Sequence, residues 1–121
     1  MMTEDELDAW RPYTDVIIKM DDERLLTLLA DQIGLGLGAS EEESRRKLGR
    51  AWLNGHLASM KLMVCRSGVV SALKARNEKD IAMIVAALAD VIVGSLNKPA
   101  AATVALLLAR QGLDNICREN D

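Results

Sequence analysis

Residues 78–117 read EKDIAMIVAALADVIVGSLNKPAAATVALLLARQGLDNIC, and this stretch decides the fold. Its two apolar segments, residues 81–93 and 100–109, are too short to span a bilayer, which needs about 20 apolar residues. The first segment carries aliphatic side chains at helical spacing: Ile81, Ile84, Val85, Leu88, Val91 and Ile92. Asn97-Lys98-Pro99 then forms a turn and begins a second helix, since proline suits the first turn of a helix. The pattern predicts an apolar helical hairpin over about residues 78–117.

The composition of the whole chain indicates the same class of fold. Half of the 121 residues are hydrophobic, whereas 2% are aromatic and phenylalanine is absent. A core of Leu, Ile, Val, Ala and Met favours helix packing over a β-sandwich. We expect an all-α fold in which residues 1–121 form a single helical domain, a bundle of five to six helices.

The N-terminal region is acidic and polar, unlike an export leader. Thr3 and Glu6 form a capping box at the start of a helix, which Pro12 is expected to interrupt. Residues 1–20 are therefore predicted to form an acidic arm or short helices. The glycine run at 34–38 predicts a loop, because glycine costs roughly 1 kcal/mol in a helix interior.

A long helix over about residues 40–65 is predicted to be the central one. Ser40 and Glu43 make a second capping box at its start. Two apolar seams follow at helical spacing, one of Ala51, Gly55, Ala58, Leu62 and Cys65, the other of Leu53, Leu57, Met60 and Val64. A helix that is apolar nearly all round belongs in the middle of a bundle or in an oligomer interface.

The back of the first hairpin helix is the predicted interaction face, made of Met83, Ala86, Ala87, Asp90 and Gly94. A carboxylate among small apolar residues is costly if it is buried without a partner. We therefore expect a buried ion pair between Asp90 and Arg110 of the next helix. Two alternatives are a partly solvated face and a face that binds a cationic group of a partner.

Charge is distributed unevenly along a chain whose net charge is −3. Residues 1–45 carry 12 acidic and 4 basic residues, and residues 46–121 carry 6 acidic and 11 basic ones. The predicted basic surface contains Arg46, Lys47, Arg50 and Lys61. We expect a solvated face or a surface for the acidic N-terminal arm, and the alternative is a nucleic acid bound by residues 45–79. Low aromatic content and net negative charge weigh against nucleic acid.

No pattern indicates a catalytic, cofactor or metal site. His56 is the single histidine, and Met60 and Met63 follow it at helical spacing without a second imidazole or carboxylate. Cys65 and Cys117 form no CxxC motif, so we expect two reduced, buried thiols in a cytoplasmic protein.

These patterns predict a non-catalytic protein-interaction or oligomerisation module. Its expected partner is a second copy of the chain, as in a homodimer, or a larger complex in which the chain is a small subunit. One alternative is a helical nucleic-acid-binding domain that uses residues 45–79. The other is a small-ligand-binding or enzymatic domain with a site near Asp90 and Arg110.

Overall fold

The computed structural model describes residues 3–34 and 41–117, and within these ranges it has seven helices and no strand. The all-α class, the long helix and the C-terminal hairpin are confirmed. The helices are α1 (Glu4–Ile17), α2 (Asp22–Gln32), α3 (Glu42–Arg66), α4 (Val69–Ala75), α5 (Ile81–Ile92), α6 (Lys98–Arg110) and α7 (Leu113–Ile116). Most of the glycine run and the predicted cap Ser40 lie outside the described residues.

Helix α1 begins at the predicted capping box and runs through Pro12 without a break. The Thr3 hydroxyl accepts a hydrogen bond from the Glu6 backbone N–H at 3.2 Å. The prediction that Pro12 interrupts this helix is wrong. Pro12 is exposed, so water can bond the carbonyl that loses its helical donor, and α1 buries Leu7, Trp10 and Ile17 in the core. Residues 4–17 are thus a packed helix rather than an arm.

Helix α6 occupies the middle of the bundle. Every residue from 100 to 108 is buried, and most of these are alanine or leucine. Alanine lets neighbouring helices approach from several sides, so α6 packs against α1, α2 and α5. The long helix α3 instead lies at the edge, where only Gly49, Met60 and Val64 of its 25 residues are buried.

Helix α5 begins three residues later than its sequence suggests. The cap is Asp80, whose side chain accepts from the Ala82 N–H at 3.0 Å. Asn77 follows α4 in the left-handed region at φ 56°, where asparagine commonly ends a helix. At the hairpin turn, Asn97 accepts from the Ala100 N–H and donates to the Gln32 carbonyl, both at 2.9 Å. The turn is thereby attached to the end of α2.

The two cysteines form a disulfide, so the prediction of reduced thiols is wrong. Cys65 in the last turn of α3 is bonded to Cys117 just beyond α7, with 5.7 Å between the Cα atoms. The bond links positions 52 residues apart and attaches α7 to α3. None of the helices within residues 3–34 and 41–117 combines the length and apolar character that crossing a membrane requires.

Candidate interaction surface

Helix α3 turns one apolar seam towards the core and the other towards solvent. Met60 is 4% exposed and Val64 is fully buried, and Leu53 and Leu57 on the same side are half-buried. At about 100° per residue, the direction opposite to Met60 and Val64 is the centre of a second, uncovered arc. We call this arc the outer face of α3; it consists of Leu48, Ala51, Gly55, Ala58 and Leu62, which are all exposed.

The outer face of α3 holds two large aliphatic side chains that remain more than one-third exposed. Leu48 is 39% exposed and Leu62 is 37% exposed. Among the described residues, the other large hydrophobics in this condition are Val16 and Ile81, on α1 and α5. Leu48 was missed as a member of the seam, although it stands three residues before Ala51, at the spacing that the seam itself uses. The seam therefore extends over four turns of the helix.

Between the core side and the outer face of α3 lies a stacked aromatic pair, of which Trp52 packs against the core. The rings of Trp52 and His56 lie 4.1 Å apart at an interplanar angle of 17°. The His56 Nδ1 also lies 2.8 Å from the Trp52 carbonyl oxygen, within hydrogen-bond distance. The imidazole is thus held against its own helix. No group of three His, Cys, Asp or Glu side chains in the described part of the chain is arranged to hold a metal ion.

Two glycines of α3 have opposite surroundings. A Cβ on Gly49 would overlap the backbone carbonyl oxygen of Leu26, so α2 and α3 can pack this closely only with glycine there. A Cβ on Gly55 would meet no atom within 4 Å from any other described part of the fold. Glycine in a helix interior costs roughly 1 kcal/mol relative to alanine. The packing of this chain explains that cost at Gly49 but not at Gly55.

The predicted basic surface is largely engaged by acidic residues of the same chain. Arg46 and Arg50 both bond the carboxylate of Glu23 in α2, at 3.1 and 2.8 Å. Lys47 pairs with Glu43 one turn earlier at 3.7 Å. The acidic N-terminal region thus meets the basic middle within the fold. Both arginines are thus engaged by Glu23 of the same chain.

The predicted interaction face on α5 is divided by the fold. Ala86 is fully buried and Ala87 is 4% exposed, so both belong to the core. Met83 is half-buried, whereas Asp90 and Gly94 are exposed. Five residues at one helical spacing therefore do not form one free surface. The sequence did not reveal that α1 and α6 both pack against α5.

The expected Asp90–Arg110 ion pair is wrong. Arg110 Nη1 donates to the Asp22 carboxylate at 2.7 Å, and Nη2 donates to the Ile18 carbonyl at 3.2 Å. Asp90 is solvated, so it carries no burial cost that a partner would have to offset. This outcome matches the alternative of a solvated face at that position. Arg110 instead joins the end of α6 to the α1–α2 connection.

Two cavities are open surface grooves that are lined mainly by polar side chains. The cavity beside α4, α5 and α7 has a volume of about 500 Å³, and its Lys74 and Asp114 bond each other at 3.0 Å. A second cavity of about 240 Å³ contains Arg110, Arg50 and Asp22 but not Asp90. Both arginines there are already in ion pairs with Asp22 and Glu23. Neither groove resembles an enclosed ligand site.

Comparisons of the chain with protein-family models, with curated proteins and with solved structures found no match. Function therefore has to be inferred from the surfaces of the molecule. Of these, the outer face of α3 combines exposed leucines, a continuous row of small residues and a glycine that the fold does not require.

Proposed function

We propose that this protein is a non-catalytic self-association module that forms a homodimer through the outer face of α3. The observation that carries the proposal is the position of Leu48 and Leu62. Both are exposed on the side of α3 opposite the core, with only small residues of the same seam between them. Continuous apolar surface of this kind marks interaction sites, because its burial against a partner releases water.

The size of the surface indicates a reversible dimer. Helix α3 has 25 residues and is about 37 Å long. Contact along one helix lies at the low end of specific interfaces, which bury about 1,200 Å² or more in total. The dimer is therefore expected to dissociate on dilution. The same face would also serve if the chain were a small subunit of a larger complex.

The test is analytical ultracentrifugation from about 1 µM to about 500 µM, a range that brackets weak dimers. We expect the weight-average mass to rise from monomer to dimer. Leu62→Asp should keep the protein monomeric throughout, with an unchanged circular dichroism spectrum because the side chain is exposed. Val16→Asp is the matched control, since Val16 is a 64% exposed hydrophobic residue on α1. A wild-type monomer at every concentration would refute the proposal.

A cytoplasmic location stays a prediction, and the disulfide weighs against it. Glutathione and thioredoxin keep most cytosolic thiols reduced, whereas disulfides persist in oxidising compartments. Mass spectrometry after alkylation of protein isolated without reductant would count the free thiols. Alkylation of both cysteines in the isolated protein would support the cytoplasmic prediction. A protein without any alkylated cysteine would contradict it.

A further inference from the structure

Gly55 lies in the interior of α3, exposed, with open space where a Cβ would be. Close approach of a backbone is the usual physical reason for such a glycine, as Gly49 and Leu26 demonstrate in the same helix. No backbone of the described residues approaches Gly55 in this way. Its surroundings thus fit a helix that comes from outside the chain.

The residues around Gly55 have nearly the same order in both directions. Ala51 lies one turn before it and Ala58 one turn after it, and Leu48 and Leu62 lie seven residues away on either side. When a second copy of α3 runs in the opposite direction, its leucines lie opposite the leucines of the first copy and its alanines lie close to the alanines. Two copies of this face are therefore complementary when the helices run antiparallel. The positions of this face are separated by three and four residues in turn, and this spacing is typical of helix pairs that cross at about 20°.

Charges at the two ends of α3 favour the same arrangement. Glu41, the N-cap, and Arg66, in the last turn, are both exposed and lie towards the outer-face side of the helix. With Gly55 at the centre of an antiparallel pair, Arg66 comes within about 5 Å along the axis of the partner's Glu41. A parallel pair would place Glu41 next to the partner's Glu41 and would align the helix dipoles unfavourably.

We infer that two copies of this chain pack α3 against α3 in antiparallel orientation, with Gly55 at the twofold axis. Leu48 packs against the partner's Leu62, and Arg66 pairs with the partner's Glu41 at each end. This inference rests on the proposed self-association and specifies its geometry. It also explains the glycine, because a side chain at position 55 would separate the two helices at their closest point.

The first test compares Gly55→Leu with Gly94→Leu. Both glycines have open surroundings, but Gly94 follows α5 and is not part of α3. We expect Gly55→Leu to keep the fold and to raise the dimer dissociation constant at least about tenfold, since an added side chain overpacks the crossing point. Gly94→Leu should leave it unchanged. An unchanged dissociation constant in Gly55→Leu would overturn the inference, and loss of the dimer in Gly94→Leu would place the interface at α5.

The second test is a charge exchange between positions 41 and 66. These positions are about 37 Å apart within one α3, so they can pair only between chains. Glu41→Arg and Arg66→Glu should each weaken the dimer about threefold to tenfold at low salt, and the double variant should restore it. The antiparallel pairing would be overturned if the single variants dimerised as tightly as the wild type. It would also be overturned if the double variant dimerised more weakly than either single variant. If the wild type still forms a dimer in that case, the proposed self-association remains supported. A wild type that is monomeric would contradict both proposals.

Discussion

Gly49 of α3 lies so close to the backbone carbonyl of Leu26 in α2 that a Cβ on residue 49 would overlap the carbonyl oxygen. Residue 49 therefore has to be glycine for α2 and α3 to pack at this distance. It differs in kind from Gly55, two turns further on, which faces outward. The same substitution at these two positions therefore separates packing within the chain from packing against a partner.

Gly49→Ala should destabilise the protein, whereas Gly55→Ala should stabilise the monomer. The first substitution forces α2 and α3 apart, and overpacking of this kind costs about 1–3 kcal/mol. The second replaces an exposed helix glycine, which gains about 0.5–1 kcal/mol. Urea denaturation at a concentration low enough to keep the chain monomeric measures both. Shifts of the same sign would contradict the contrast between the two glycines.

Reduction of the Cys65–Cys117 disulfide should lower stability. The bond closes a loop across 52 positions, and loop-closure entropy for that length corresponds to about 4 kcal/mol. The measurement is thermal unfolding with and without a thiol reductant. The double variant Cys65→Ala/Cys117→Ala is the control and should be insensitive to the reductant. Equal stability of oxidised and reduced wild-type protein would show that the bond contributes nothing.

Glu23→Gln should weaken the contact between α2 and α3 slightly and in a salt-dependent manner. It removes the shared partner of Arg46 and Arg50, but all three side chains are at least one-third exposed. Solvent screening therefore limits the loss to about 0.5–1 kcal/mol. Urea unfolding should show this difference at low salt and little of it at about 1 M salt. A loss that is the same at both salt concentrations would point to packing rather than charge.

Arg110 should couple to Asp22 and not to Asp90. Arg110→Ala removes two hydrogen bonds that attach α6 to the α1–α2 connection, at a cost of about 1–2 kcal/mol. Asp90→Asn alters an exposed carboxylate and should change stability by less than about 0.5 kcal/mol. Double-mutant cycles in urea unfolding test both pairs. A coupling energy between Asp90 and Arg110 that matches the Asp22–Arg110 value would contradict the observed pairing.

Much of the helical structure was predictable because its signals are local. The Thr3–Glu6 capping box and the Asn97-Lys98-Pro99 turn each act within a few residues, and both occur where the sequence indicated. Pro12 was misinterpreted because its local penalty is offset by the burial of Leu7 and Trp10 in α1, which packs against the distant helices α5 and α6. Helix propensity describes a residue within its own turn of helix, so it does not include the contribution of packing against distant helices.

For the candidate site, the sequence identified the row from Ala51 to Cys65 but not which of the two seams is exposed. Two apolar seams on one helix are equivalent until a neighbour covers one of them. The core covers Met60 and Val64, and Gly49 lies on the same side of α3, where it lets α2 approach closely. The seam that is left over is the outer face. Only the positions of the other helices distinguish the two.

By itself, then, the sequence determined the helical class, the long helix and the C-terminal hairpin, because periodicity and capping depend on neighbouring residues. Only the tertiary structure decided which seam of α3 is exposed, that Cys65 meets Cys117, and that Arg110 binds Asp22. These relationships join residues that are distant along the chain. Their partners are set by the packing of whole helices, which no local pattern records.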